Sequence, residues 1–337
     1  MGCILFRQKE NEYGRSDMIV YSSINEITEL LPKPVVTIGN FDGVHLGHRE
    51  IFRNVKKTAK EIGGASVVIT FNPHPLKVVT SSKTVALINT LDEKIKLIEA
   101  SGIDYLIIIN FDAEFAQLSA TDFIEKILVG KIGLKQLIIG YDYAFGRGRE
   151  GNLALLMKMG LKYSYKVEEL APITDGSITF SSSLIRKMII DGDVSGVIRY
   201  LGRNFSLAGR VVHGQNIGKS LGFPTANIES DKELIPADGV YAVKVKLGDV
   251  LYDAACNIGF NPTFNTGRKT LEVFIFDLDD NIYGQEIRIY FFERLRDEKC
   301  FENKQALVTA ISNDVATCRR ILASTQLVVY SEYLESL

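Results

Sequence analysis

Two histidines three residues apart, His45 and His48, close the string Thr37-Ile38-Gly39-Asn40-Phe41-Asp42-Gly43-Val44-His45-Leu46-Gly47-His48. An apolar run from Pro34 to Ile38 leads in, and Ile51, Phe52, Val55, Ala59 and Ile62 follow on one face at helical spacing. The pattern predicts a buried strand, a tight glycine turn, and a helix with two imidazoles at its mouth. A helix N-terminus brings unpaired N–H groups and the positive end of a dipole, and histidine adds a donor that is neutral or cationic near pH 7. That chemistry suits a nucleotide phosphate. The plain alternative is a glycine turn with two surface histidines. Zinc is disfavoured: no glutamate lies between the histidines and no cysteine pair is near.

Four further clusters have the residue types for chemistry. In Asn72-Pro73-His74-Pro75 two prolines fix the backbone and hold His74 outside any helix, either to meet a substrate or as a rigid turn. Ser181-Ser182-Ser183-Leu184-Ile185-Arg186 opens a predicted helix. One serine suffices for an N-cap; three, with an Arg fork, exceed that need and suit an anion. Gly146-Arg147-Gly148-Arg149-Glu150-Gly151 is formally G-x-G-x-x-G, but it follows a fourth strand, where a dinucleotide fingerprint belongs in the first βα unit. Glu272 lies in Leu271-Glu272-Val273-Phe274-Ile275-Phe276, where strand alternation puts it on one face with Phe274 and Phe276. A carboxylate on a mainly apolar face is either catalytic or at a surface edge.

The elements that must position these groups fall into two regimes. Up to about residue 140, apolar runs at Pro34–Ile38, Ala65–Phe71, Tyr105–Ile109 and Gln136–Ile139 alternate with helices, one opened by the capping box Thr90-x-x-Glu93 and one capped by Ser119. This predicts a parallel sheet with helices on both faces and ligands outside the strands' carboxyl ends, where every motif above that precedes residue 150 sits. After Phe205 the runs Phe205–Val212, Gly239–Leu247, Leu251–Ile258, Leu271–Leu278 and Glu286–Glu293 follow with only turns between them, which predicts an antiparallel barrel. An amphipathic helix over about 303–323 ends it. The expected domains are 18–186 and 205–328, joined by 187–204.

Composition bounds the reading. A chain of 337 residues predicts roughly two domains. A net charge of −2 gives no support for a nucleic-acid or anionic-membrane partner. Cys3, Cys256, Cys300 and Cys318 are scattered without a C-x-x-C, which fits reduced cytoplasmic thiols. No apolar run reaches the roughly 18 residues of a membrane span. Met1-Gly2 hints at myristoylation, but Phe6 stands where Ser or Thr is wanted. Residues 1–18 carry no legible chemistry.

The G-x-F-D-G-V-H-x-G-H string and Asn72-Pro73-His74-Pro75 resemble the adenylyltransferase module of bacterial bifunctional riboflavin kinase/FAD synthetases. Gly140-Tyr141-Asp142-Tyr143-Ala144-Phe145-Gly146 is similar to that family's G-x-D/N-F-x-F-G loop, with departures at Tyr143 and Ala144. Ser181 to Arg186 matches its S-S-T-x-I-R, Ser183 replacing Thr. Gly214-Gln215-Asn216-Ile217-Gly218-Lys219-Ser220 is one residue short of a P-loop, and Gly222 and Pro224 stand where the P-loop helix should run. Through Asn227 it resembles instead the flavokinase string G-x-x-x-G-x-x-L-G-F-P-T-A-N. Asn257-Ile258-Gly259-x-x-Pro262-Thr263-Phe264 and Arg294-Leu295-Arg296-Asp297-Glu298 also match.

The resemblance implies a Rossmann-like nucleotidyltransferase domain followed by a riboflavin kinase barrel with a terminal helix. It implies phosphorylation of riboflavin to FMN by ATP, then attack of the FMN phosphate on the α-phosphorus of ATP to give FAD and pyrophosphate. His45, His48 and Arg186 become the expected catalytic residues of that second step, with Gly39, Phe41, Gly47, Asp142, Ser182 and Ser183 around the ATP and Asn72 and His74 at the flavin. In the kinase, Glu272 is the expected base. Gly214, Gly218, Lys219, Pro224 and Arg296 border nucleotide and flavin, and Thr225 and Asn227 offer neutral oxygens to Mg²⁺. The expected partners are small molecules, on a monomer or weak homo-oligomer. One silent activity, or a flavin- and nucleotide-binding regulator without turnover, are the alternatives.

Overall fold

The computed structural model describes residues 18–80, 85–214, 218, 221–260 and 269–329. Lys219 and the Pro262-Thr263-Phe264 segment lie outside the described residues. The chain divides into two compact units: the first takes in the chain up to Val85 and Leu91–Ser181, the second Ala86–Thr90 and the chain from Ser182.

The first unit is built on six parallel strands: β1 (Ile19–Tyr21), β2 (Val35–Ile38), β3 (Ser66–Asn72), β4 (Tyr105–Asn110), β5 (Gln136–Gly140) and β6 (Lys166–Leu170), in the order β1-β4-β3-β2-β5-β6. The four expected strands form its centre, where both faces are covered and the apolar runs are continuous. The two edge strands escape such a reading: β1 has three residues, and β6 is Lys-Val-Glu-Glu-Leu with exposed charges. Helix α1 (Leu46–Ile62) lies on one face, where Val55 and Ala59 meet Val35 of β2 and Ile138 of β5. Helix α2 (Pro75–Val79) and α3 (Leu91–Glu99) follow β3. The other face is the larger core, where Val36, Ile38, Val67, Ile69 and Ile107 pack under Phe123, Ile124 and Leu128. Those last three lie on the π-helical stretch Phe123–Ile132, which continues α4 (Ala120–Asp122), itself capped by Ser119 as expected. Helix α5 (Leu153–Tyr163) and the small β7 (Thr174–Asp175) and β8 (Ile178–Thr179) ribbon complete the unit.

The second unit opens with α6 (Ser182–Ile190) and α7 (Ile198–Leu201) and then forms the barrel. Its strands are β9 (Ser206–Val212), β10 (Ala226–Glu229), β11 (Gly239–Leu247), β12 (Val250–Phe260), β13 (Lys269–Ile275) and β14 (Glu286–Arg296). They close in the order β10-β13-β12-β11-β14-β9, every pairing antiparallel. Closure removes the sheet edges. Leu271, Val273 and Ile275 of β13 are buried, while Glu272 and Phe274 alternate to the other side. On that outer side Phe274, Phe276, Ala242 and Phe292 pack against Cys318 and Leu322 of α8 (Lys304–Ser324). Strand β10 went unread in the sequence because it is four residues long and follows a proline.

Candidate active site

Strand order determines where a ligand fits in the first unit. β3 lies on one side of β2 and β5 on the other, so the sheet reverses its direction of growth between β2 and β5. A crevice opens outside the carboxyl ends of such a pair. The loops that leave there are the 39–45 turn after β2 and the 141–146 segment after β5.

The 39–45 turn takes an unusual backbone path. Phe41 and Val44 have φ of 47° and 38°, and Gly43 has 86°. A non-glycine residue adopts that left-handed region only when its surroundings hold it there. Here the holding is visible. The buried Phe41 ring folds back so far that a Cβ on Gly39 would lie 2.9 Å from its Cζ. It meets Phe52 of α1 at 4.9 Å and His48 edge-on at 5.2 Å.

His45 caps α1. Its Nδ1 accepts the peptide N–H of Gly47 at 3.1 Å and of His48 at 3.4 Å. An imidazole nitrogen that accepts carries no proton, so the neutral ring bears its N–H on Nε2. The ring stacks on His48 with centroids 3.6 Å apart and planes 22° from parallel. Gly47 makes room for this, since a Cβ there would come within 2.9 Å of His45 Cε1. The expectation of open N–H groups in the first turn therefore changes. Two of them are taken by His45, and the chemistry of the helix mouth passes from peptide to imidazole.

A cation that sequence reading passed over sits beneath the same turn. Lys94 of α3 is 4% exposed. Its Nζ donates to Thr70 Oγ1 at 3.5 Å, and the Thr70 hydroxyl donates to the Asn40 carbonyl at 3.2 Å. Burial pushes the Lys94 ammonium down to about 8, against the pull of the buried Asp42 carboxylate.

At the carboxyl end of β3, His74 is buried and caps α2, its Nδ1 accepting the Leu76 N–H at 3.2 Å. The expected rigid turn thus opens a short helix. Phe71, Phe111 and Phe115 gather beside Asn72, with centroids 5.5 Å apart for Phe71–Phe111 and for Phe111–Phe115. This aromatic group also escaped the sequence reading, because its members come from two separate segments and share no spacing signal. After β5, Asp142 is exposed, and Tyr143 stacks on Phe145 at 5.4 Å with its hydroxyl buried. Burial drives the Tyr143 phenol well above its usual range. The formal G-x-G-x-x-G serves packing. A Cβ on Gly146 would lie 2.7 Å from the Ala120 backbone, and one on Gly151 2.7 Å from the Phe145 ring.

Ser182, Ser183 and Arg186 open α6 and fall in the second unit, which begins at Ser182. There Arg186 Nε donates to the Ala86 carbonyl at 2.9 Å.

On the barrel, strand register assembles the other cluster. Glu272 of β13 lies directly opposite Asn227 of β10 on one side and Asn257 of β12 on the other. Directly opposite residues point the same way. A carboxylate flanked by two amides therefore runs across the outer wall. Burial raises the Glu272 carboxyl above the usual range, and the Glu298 carboxylate raises it further. Phe223 meets Phe274 edge-on at 5.6 Å, beside this row, and Pro224 is exposed. Two glycines clear the space for its oxygens. A Cβ on Gly214 would overlap the Asn227 amide, and one on Gly218 would overlap the Phe223 carbonyl and come 3.2 Å from Thr225 Oγ1.

Arg296 is paired across elements. Its guanidinium takes Asp314 of α8 in a fork, Nε at 3.0 Å from Oδ1 and Nη2 at 2.7 Å from Oδ2. Sequence gave no sign of that partner, which lies on another element.

Among the described residues no group of three or more His, Cys, Asp or Glu could hold a metal ion. Neutral oxygens at Thr225 and Asn227, with a carboxylate next in the row, nonetheless suit Mg²⁺. That ion keeps several waters and substrate phosphates rather than a protein cage.

Comparison with known proteins gives two family matches, FAD synthetase over residues 27–184 and riboflavin kinase over residues 201–322. A bifunctional riboflavin kinase/FMN adenylyltransferase of Buchnera aphidicola subsp. Acyrthosiphon pisum is 38% identical over 301 residues, 88% of this chain and 96% of that protein. The Escherichia coli K12 protein of the same name is 35% identical over 293 residues, covering 87% and 94%. A crystal structure from Streptococcus pneumoniae, named a macrolide-efflux protein, is similar at a TM-score of 0.81. It shares 31% identity and covers 90% of this chain and 98% of that one.

Proposed function

The chain belongs to the bifunctional riboflavin kinase/FMN adenylyltransferase family, and from that premise we propose how its residues divide the two reactions. The enzyme phosphorylates riboflavin to FMN with ATP and transfers AMP from ATP to FMN, giving FAD and pyrophosphate. The efflux role named for the streptococcal structure stays with that protein; the likeness carries the fold.

The observation that carries the division is the Asn227–Glu272–Asn257 row on the barrel, remote in sequence from the His45–His48 pair. Glu272 accepts the proton of the riboflavin 5′-hydroxyl as that oxygen attacks the γ-phosphorus of ATP and ADP leaves. A base positioned in this way contributes about 10²–10⁴ in rate. Its raised carboxyl makes it a stronger base than an exposed glutamate. Gly214, Gly218 and Lys219 approach the nucleotide phosphates, and Phe223, Pro224 and Phe274 border the flavin. Thr225 and Asn227 would hold Mg²⁺, which supplies charge neutralisation on the phosphates. Arg296 positions α8 through Asp314 and bears on the flavin only through that helix.

Adenylyl transfer needs no covalent nucleophile. An FMN phosphate oxygen attacks the α-phosphorus of ATP and pyrophosphate departs in line. Catalysis is positioning and neutralisation of charge. His45 and His48 donate to the phosphates from the mouth of α1, with Gly39, Phe41 and Gly47 shaping the turn and Asp142 at its rim. Ser182, Ser183 and Arg186 carry the anion-binding role expected of the first turns of α6, and in this reading the functional module is 18–186, the connector 187–204 and the kinase 205–328. Asn72, His74 and the Phe71–Phe111–Phe115 group receive the flavin. A cytoplasmic monomer or weak homo-oligomer acting only on small molecules fits the charge balance of −2.

The test is chromatography of the purified chain with riboflavin, ATP and Mg²⁺, beside a run started from FMN. FMN and FAD from riboflavin are expected. FMN alone, with no FAD in the second run, would leave a kinase with a silent adenylyltransferase fold. FAD only from supplied FMN would leave a silent barrel.

A further inference from the structure

The phosphate turn of the first unit is supported from below by a charge the known motifs do not contain. Lys94 lies on α3, outside every motif string. It is 4% exposed, and Asp42 is 2% exposed. Burying an ammonium costs several kcal/mol unless its surroundings compensate. Among the described residues the hydrogen bond from Lys94 Nζ goes to Thr70 Oγ1 at 3.5 Å, which leaves most of its donor capacity to the field of Asp42. A core position with no task would hold leucine or methionine at lower cost. The hydrogen bond and the charge that act on Lys94 lead to one place. Thr70 passes the bond on to the carbonyl of Asn40, and Asp42 is two residues further along the same turn. That turn then runs through Gly43 and Val44, both at positive φ, into His45. Lys94 therefore reaches the turn through the Thr70 hydroxyl and acts on the Asp42 carboxylate electrostatically, just before the turn's strained end.

We propose that Lys94 is a positioning residue for adenylyl transfer, fixing through Thr70, Asn40 and Asp42 the turn that presents His45 and His48. The inference rests on the reading of that turn as the ATP phosphate site. Positive charge held behind the turn has a second effect. It lowers the cost of bringing a triphosphate against its front, and it is already in place when charge shifts during transfer. Small displacements at such a site cost about 10²-fold in rate.

The experiment uses the full chain, whose kinase reports on folding. Lys94→Met and Thr70→Val are assayed for FAD formation from FMN over a range of ATP, and for FMN formation from riboflavin. We expect kcat of adenylyl transfer to fall by about 10²-fold in Lys94→Met, with KM for ATP changing far less. Thr70→Val, which removes one link and leaves the cation, should lower the same kcat by a smaller factor. Kinase rates should match the parent chain in both. Unchanged adenylyl-transfer kcat in Lys94→Met would overturn the proposal. So would equal losses of both activities in both variants, since that is the signature of a purely structural lysine. His48→Ala separates this from the underlying reading. If it leaves FAD formation intact, the phosphate site itself is misassigned; if it abolishes FAD formation while Lys94→Met does not, only the present inference fails.

Discussion

His45 and His48 stack face to face with ring centroids 3.6 Å apart, and His45 reaches that position by accepting the N–H of His48 itself. The first imidazole is thereby held in one tautomer and one orientation by the helix it caps. The pair is prearranged rather than gathered by the ligand, which is what a reaction driven by charge stabilisation requires.

His48→Ala should lower FAD formation from FMN by about 10²–10³, the usual cost of one lost donor to a developing charge. FMN formation from riboflavin should be unaffected. Steady-state rates of the two reactions on one preparation check this; a matching loss of kinase rate would break the two-site assignment.

Gly47→Ala probes the packing behind the same pair. The new Cβ would come 2.9 Å from the His45 ring, so the ring must rotate off its cap. Adenylyl transfer should fall by roughly 10-fold or more through misplacement of His45. Gly63→Ala, at φ +60° with open space around its Cβ, should instead cost about 1 kcal/mol of stability and no activity. Thermal unfolding and rate measurements on both variants distinguish the two effects.

Glu272→Gln should reduce FMN formation by about 10²–10⁴ and leave FAD formation from added FMN intact. Product chromatography reads both. The companion variant Gly214→Ala puts a Cβ into the Asn227 amide and should also impair only the kinase, with a higher Mg²⁺ requirement.

The pH dependence of the kinase has a defined sign. Glu272 works only when ionised, and burial followed by the Glu298 carboxylate raises its carboxyl above the ordinary range. The rate should therefore fall on acidification at a higher pH than an exposed glutamate would give. Glu298→Gln removes the second cause, so the acid limb should move to lower pH. A limb that stays in place would mean that Glu298 does not act on Glu272.

Asp314→Asn tests the assignment of Arg296. The forked pair is mostly buried, with side chains 23% and 13% exposed. Breaking such a pair costs about 3 kcal/mol, and α8 should loosen from the barrel. A lowered unfolding midpoint with KM for riboflavin and ATP little changed is the expected result. A large rise in either KM with normal stability would return Arg296 to the ligand.

Much of this protein was legible before any coordinates. Central strands covered on both faces must be apolar throughout, so β2, β3, β4 and β5 announce themselves. In the barrel, β11 could be read to its ends, Gly239–Leu247, because its first half is a continuous buried apolar run and its second half alternates Val with Lys. The string ending in H-x-G-H also announces strand, turn and helix in order, while the capping of that helix by His45 showed only in the structure. Edge strands β1 and β6 were not legible, because a strand with one solvent-facing side has no continuous apolar demand.

The site was decided more by tertiary structure. Only strand order puts the 39–45 turn and the 141–146 segment at one crevice, and only register sets Glu272 between Asn227 and Asn257. Lys94 looks like any helix lysine until α3 packs under the turn. Arg296 looks like any loop arginine until α8 brings Asp314 to it. Local sequence determines what a residue can do along its own element. What it meets across elements depends on packing, and the cost of burying a charge makes those meetings specific.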